Sequence, residues 1–114
     1  MNSIHLTGRL THDPERRETA SEKTLVQMRL AVPRAKARGE REAVFVDVVS
    51  FDGLAAVCAT YLTRGRKVAV SGRLEQDEWQ VADGTRRSRH YVVASDVEFL
   101  DRARQDEADA GADE

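Results

Sequence analysis

Few side chains in this sequence are placed for covalent chemistry. His5, His12 and His90 are scattered, and the single cysteine, Cys58, sits in an apolar run. No Ser/His/Asp grouping or carboxylate pair accompanies them, so catalysis by a nucleophile or an acid–base pair has no seat. His12 adjoins Asp13, but Asp13-Pro14 is turn chemistry first. One cysteine cannot close an internal disulfide, and zinc sites gather several Cys or His ligands at close spacing. The chain is therefore expected to be no enzyme and to use no metal or cofactor. What it does offer is clustered cations. Arg34, Lys36 and Arg38 share one polar stretch, and Arg86, Arg87 and Arg89 follow closely on Gly84. Long basic side chains grouped in this way suit the charges of a polyanion.

The net charge of −2 hides this until it is divided along the chain. Residues 1–104 hold all 18 Lys and Arg against 15 Asp and Glu, a net +3. The last ten residues, QDEADAGADE, hold five acids and no base. That segment has no aromatic or β-branched residue and cannot bury enough surface to offset the entropy of ordering. Residues 101–114 are accordingly read as a short acidic disordered tail, and residues 1–100 as one domain. A chain of 114 residues leaves room for a single core. Its longest uncharged apolar stretch, around Leu54–Leu62, is far short of the roughly 20 residues of a membrane span. MNSIHLTGRL lacks the basic-then-apolar layout of a signal peptide. No membrane partner and a cytoplasmic location are expected.

The elements that must position these residues are mostly strands. Ile4, Leu6 and Leu10 alternate, with Gly8 interrupting as a bend would. THDPERRETASEK has no periodicity and reads as a long connection. From Thr24 to Val32, one face carries Val26, Met28, Leu30 and Val32, and the other, half-polar, carries Leu25, Gln27, Arg29 and Ala31. Pro33 and Gly39 are expected to break this strand into a charged loop over 33–42. The next strand, Ala43–Phe51, sets Val44, Val46 and Val48 against Phe45, Asp47, Val49 and Phe51. A short helix follows, with Asp52 as its cap, a stripe of Leu54, Val57, Cys58, Tyr61 and Leu62, and an end at Arg64-Gly65. Val68, Val70 and Leu74 alternate around Gly72 and the pattern extends toward Trp79. Asp83-Gly84 then marks a hairpin, and Tyr91, Val93, Val97 and Phe99 close the order. Five strands with one helix between the third and fourth describe an all-β OB-fold, a small Greek-key barrel, although other small β-folds share that string of elements.

Three stretches resemble the bacterial single-stranded DNA-binding protein family, over about Ile4–Leu100. The first is GRLTHDPERR, Gly8 to Arg17; the second runs from Val48-Val49 through Phe51 and Leu54-Ala55 to Tyr61-Leu62 and Gly65. The third is Val70-Ser71-Gly72-Arg73-Leu74, with Trp79 five residues on and the Asp83-Gly84 turn after it. The resemblance implies sequence-nonspecific binding of single-stranded DNA in replication, recombination and repair. Stacking positions carry over to Phe45, Phe51 and Trp79, and Phe45 and Phe51 also share strand parity. It further implies phosphate contacts from Arg34, Lys36 and Arg38, from Arg86, Arg87 and Arg89, and from Arg9, Arg64 and Arg73. Tyr61, Tyr91 and Phe99 are left with the core. A homotetramer is implied, with a dimer as the fallback and the first strand, Asn2–Thr7, at a subunit edge.

The sequence also departs from the family's pattern. Pro33 to Glu42 contains no aromatic, where a further stacking ring is expected. A Trp-His pair reads Phe45-Val46, and the commonly basic run before Trp79 reads Glu75, Gln76, Asp77, Glu78. The family's acidic tip with its apolar anchor is missing, so recruitment of replication and repair proteins through the tail is expected to be weak. These departures keep a second function in play: an OB-fold protein-interaction module of the primosome type that touches DNA weakly.

Overall fold

The computed structural model describes residues 1–21, 23–35 and 41–101. Its elements in chain order are β1 (Ile4–Leu10), β2 (Glu15–Glu18), β3 (Thr24–Ala35), β4 (Arg41–Phe51), α1 (Asp52–Tyr61), β5 (Lys67–Gln80) and β6 (Arg86–Phe99). Alternation decides which side chains turn inward. Val26, Met28 and Leu30 from β3 are fully buried, with Val48 from β4, Val68 and Val70 from β5, and Val92 from β6. Ala55 and Cys58 on α1, with Leu62 just after it, complete the same core. Burial pushes the Cys58 thiol above its ordinary pKa, so it stays protonated among apolar neighbours.

The pairings close on themselves. β1 runs antiparallel to β5 over Ile4–Arg9 and also meets β3 at Arg9 and Leu10. β3 is antiparallel to β4 along its length, β4 touches β6 in parallel at Val48–Val92 and Val49–Val93, and β6 returns antiparallel to β5. The circuit β1–β5–β6–β4–β3–β1 therefore comes back to its start. These are the five strands the sequence pattern marks, with the helix in the expected gap, and the fold is an OB-fold. Two glycines let the strands approach. A Cβ on Gly8 would lie 2.6 Å from the Ala31 carbonyl oxygen, and one on Gly72 would lie 2.1 Å from that of Val93. Gly72 also marks the irregularity at which β5 and β6 shift register.

Several local expectations are corrected. Glu15–Glu18, inside the segment read as a connection, forms β2 on the edge of β3 and pairs from Glu15–Gln27 to Glu18–Thr24. All four of its side chains are exposed, so no burial pattern could mark it. Pro33 does not break β3; it pairs with Ala43, and the ladder runs on to Ala35–Arg41. The reason is its parity. The Arg29 carbonyl accepts the Thr11 N–H (2.9 Å) on the side away from β4. Alternation turns the Pro33 nitrogen the same way, so no β3–β4 hydrogen bond is lost. At the helix, Asp52 is not the cap. Phe51 occupies that position without a side-chain bond, and Asp52 is the first helical residue, in the left-handed region at φ +55°. Val57 and Tyr61 face solvent at 43% and 60% exposure, so the buried stripe is Ala55, Cys58 and Leu62. The helix ends at Tyr61, before the Arg64-Gly65 turn.

Candidate nucleic-acid interface

The register places the rings named from sequence on one outer face. In β4, Phe45, Asp47, Val49 and Phe51 alternate away from the buried Val48 and Ser50. Across the ladder they face Ala31, Arg29, Gln27 and Leu25 of β3, and Leu25 in turn faces Arg17 of β2. On the other side, Val49 sits beside Val93, which shares its parity with Tyr91, Arg89 and Arg87. Those β6 residues pair with Arg73, Glu75, Asp77 and Trp79 of β5. Phe45 is 55% exposed, Trp79 45% and Phe51 37%, against zero for Val48 and Met28. The three rings are outside the core.

Cations are interleaved with these rings. The Arg29 guanidinium lies over Phe45, 5.2 Å from the ring centre, and Arg89 lies over Tyr91 at 5.0 Å. Two clefts open on this face. One, of about 230 Å3, is floored by Leu25, Val49 and Phe51 and rimmed by Arg17, Gln27, Asp77, Arg89 and Tyr91. The other, of about 260 Å3, lies where β4 and β6 part, between Phe45 and Asp47 on one wall and Leu74, His90 and Tyr91 on the other. Tyr91 belongs to both. Its hydroxyl donates to Asp77 Oδ1 at 3.2 Å, and burial, joined by that carboxylate, raises its pKa above the ordinary tyrosine value.

The remaining basic residues divide. Arg73 and Arg87 share the ring-bearing face, and Arg73 is paired with Glu75 at 2.8 Å. Arg86 has the opposite parity but lines a small hollow with Glu78, Trp79 and Gln80 at the end of the β5–β6 arm. That arm closes through the expected turn. The Val81 N–H donates to the Thr85 carbonyl, Gly84 takes φ +87°, and Asp83 accepts the Thr85 N–H at 2.8 Å. Hydrogen bonding from Thr85 also lowers the Asp83 pKa. Arg34, on the other face of β3, is paired with Glu42 at 2.8 Å. Arg64 is exposed in the turn after α1, which Asp13 ties down by accepting the Arg64 N–H at 2.8 Å. Lys36 and Arg38 lie outside the described residues.

Arg9 is held elsewhere. Its guanidinium donates to the Gly65 carbonyl (2.9 Å) and to Asp101 (3.2 Å). Asp101 also receives the buried Arg66 at 3.0 Å and the Lys67 N–H at 3.1 Å. Burial alone would raise the Asp101 carboxyl, but the Lys67 N–H and Arg66 together hold it below the ordinary carboxylate range. Arg66 lies over Phe99 as well, which fastens the end of β6 to the helix exit. Among the described residues no group of three His, Cys, Asp or Glu is placed to hold a metal. None of their helices is long and apolar enough to cross a membrane.

Sequence reasoning missed four contributors to this face: Tyr91, Arg29, Arg17 and Gln27. The signal for Arg29 and Gln27 was the half-polar face of the second long strand. The sequence reading leaves Tyr91 with the core, whereas the structure sets it half-buried at the edge of both clefts. Arg17 carries no periodicity signal, because every side chain of β2 is exposed.

An OB-fold whose outer face interleaves exposed rings with guanidinium groups has the architecture of a sequence-tolerant single-strand binder. Comparison with known proteins agrees. Residues 1–100 match the model of the Single-strand binding protein family, and the chain belongs to that family. "Single-stranded DNA-binding protein 3" of Clostridium acetobutylicum is 40% identical over 103 residues, covering 89% of this chain and 72% of that protein. The "Single-stranded DNA-binding protein" of Thermotoga maritima is 39% identical over 105 residues, covering 89% and 74%. "Single-stranded DNA-binding protein 2" of Staphylococcus aureus is 41% identical over 103 residues, covering 89% and 73%.

Proposed function

We propose that this chain is a non-catalytic protein that binds and protects single-stranded DNA during replication, recombination and repair. The observation that carries this is the shared face of Phe45, Phe51 and Trp79, exposed and interleaved with arginines on β2, β3, β5 and β6. Every base has a π-face, so such rings stack on a strand of any sequence at roughly 1–3 kcal/mol per base. Arg29, Arg87 and Arg89 supply cations for phosphates, with Arg86 at the arm's end and Lys36 and Arg38 in the β3–β4 connection. Arg9, Arg17, Arg34 and Arg73 act less directly, because each is already paired with a carboxylate.

The functional unit is a homotetramer, with a dimer as the smaller alternative. Beyond Arg9 and Leu10, β1 has no second partner strand among the described residues, which leaves one backbone edge of Ile4–Gly8 open. An apolar cleft of about 370 Å3, floored by Gly8, Ala31, Pro33 and Ala43, runs beside that edge. A second copy pairing there would cover both.

Fluorescence anisotropy with labelled single-stranded and duplex oligonucleotides tests the binding reading. The single strand should bind far more tightly, with affinity falling as salt rises. Equal affinity for the two forms contradicts it. A protein-interaction module with weak DNA binding draws support from the carboxylates Glu75 and Asp77 on the ring-bearing face, and it would bind the single strand only weakly even at low salt.

A further inference from the structure

Tyr61 is the most exposed ring of the chain, at 60% against 55% for Phe45 and 45% for Trp79, yet it lies off the face they share. It ends a helical stripe that begins at that face. Phe51 caps α1, and Leu54, Val57 and Tyr61 follow at three- and four-residue spacing. At about 1.5 Å per residue, Tyr61 stands about 15 Å beyond Phe51. Its support is fixed, because the Tyr61 carbonyl accepts the Arg66 guanidinium at 3.2 Å and leaves the ring in solvent. After Asp52, α1 carries no charged side chain. Cations flank it instead. Arg64 is exposed in the turn past the helix, where its N–H is held by Asp13. Arg16 pairs with the buried Val26, so its parity turns it away from the ring face toward the side that α1 closes. Among the described residues, neither Arg16 nor Arg64 is paired with a carboxylate.

We propose that the outer face of α1 is a second track for single-stranded DNA, on which a strand leaving Phe51 stacks a base on Tyr61 and sets its phosphates against Arg16 and Arg64. The proposal rests on the single-strand-binding reading and extends it to a surface outside the ring-bearing sheet. An exposed apolar helix face also suits a protein partner. Two observations favour the strand. The stripe is continuous with the ring face through Phe51, and its flanks hold unpaired cations, as a polyanion requires. The distance is also compatible. About 15 Å holds about four nucleotides at the stacked rise of about 3.4 Å, and fewer in an extended strand. A tyrosine ring offers its π-face to any base, so the added contact brings no sequence preference.

The test photocrosslinks the full chain to oligo-dT carrying 5-iododeoxyuridine and maps the adducts by mass spectrometry. Adducts should form at Tyr61 as well as on the ring face, and this arm needs no variant to fold. Affinity for unmodified oligo-dT is then measured by Trp79 quenching. Tyr61→Ala should weaken it about fivefold or more, the lower bound for one stacked base, with an unchanged thermal melt. Tyr61→Phe keeps the ring and should bind as the unaltered protein does. Arg16→Ala and Arg64→Ala should each reduce the slope of log affinity against log salt by about one. Adducts confined to the ring face, or a folded Tyr61→Ala protein of unchanged affinity, overturn the track while leaving single-strand binding intact. A protein-docking role for α1 would give that second result. Absence of Trp79 quenching in the unaltered protein overturns the single-strand reading itself, and the track with it.

Discussion

At the scale of single residues, the rings and the acids beside them make opposite demands on a polyanion. Trp79 lies 45% exposed at the far part of β5, paired across the arm with Arg87. Replacing it with Ala should cost on the order of 1–3 kcal/mol of binding to oligo-dT while the fold, followed by circular dichroism, stays intact. Two positions toward the barrel, at roughly 3.3 Å per residue, stands Asp77, and two further Glu75. Both share the Trp79 face, whereas Glu78 points to the opposite one. Lys at 75 or 77 should therefore tighten single-strand binding and steepen its salt dependence, and Lys at 78 should do so less. Equal effects at the three positions would contradict the parity argument. Phe45 and Phe51 were legible in the sequence because β4 alternates cleanly. Tyr91 was not, because β6 leaves the barrel wall as an arm and the burial expected of a strand aromatic no longer applies there.

At the scale of elements, the barrel depends on places where two backbones come too close for a side chain. Gly72 is the tighter one, where an added Cβ would sit 2.1 Å from the Val93 carbonyl oxygen. Gly72→Ala must push β5 away from β6 just below the arm that carries Trp79, Arg87 and Arg89. We expect a loss of about 1–3 kcal/mol of stability, read as a lowered melting temperature at fixed protein concentration. Gly8→Ala, at 2.6 Å from the Ala31 carbonyl, should act in the same direction at the β1–β3 contact. A second fastening is electrostatic. Asp101, with its pKa depressed, binds Arg66, Arg9 and the Lys67 N–H. A carboxyl whose pKa is lower folded than unfolded stabilises the protein above the unfolded value, and the benefit disappears as pH falls through the folded one. Thermal melts from pH 7 down to pH 3 should show stability lost toward acid, with Asp101→Asn less stable at pH 7 and less sensitive to acid. The sequence pattern marked all five long strands and the helix, since each alternates or repeats against a common core. It could not mark β2, exposed throughout, nor the run of β3 past Pro33, which depends on which way a nitrogen faces.

At the scale of the whole molecule, an open β1 edge and an apolar cleft beside it predict that the 12.7 kDa chain does not work alone. Light scattering at micromolar concentration should give four times the chain mass, and a monomer mass would contradict the proposed assembly. Long-range charge should matter too. Residues 105–114 carry five acids and no base, tethered to a body that is net positive through residue 104. Deleting them should raise single-strand affinity at low salt and leave it nearly unchanged at high salt, where screening has already removed the competition. The central claim, that an exposed ring face captures single-stranded DNA, is tested most directly by the intrinsic fluorescence of Trp79, the only tryptophan in the chain. Titration with oligo-dT should quench that emission strongly, and raising the salt should reverse the quenching as bound strand is released. An emission that stays unchanged up to saturating oligo-dT would contradict the account.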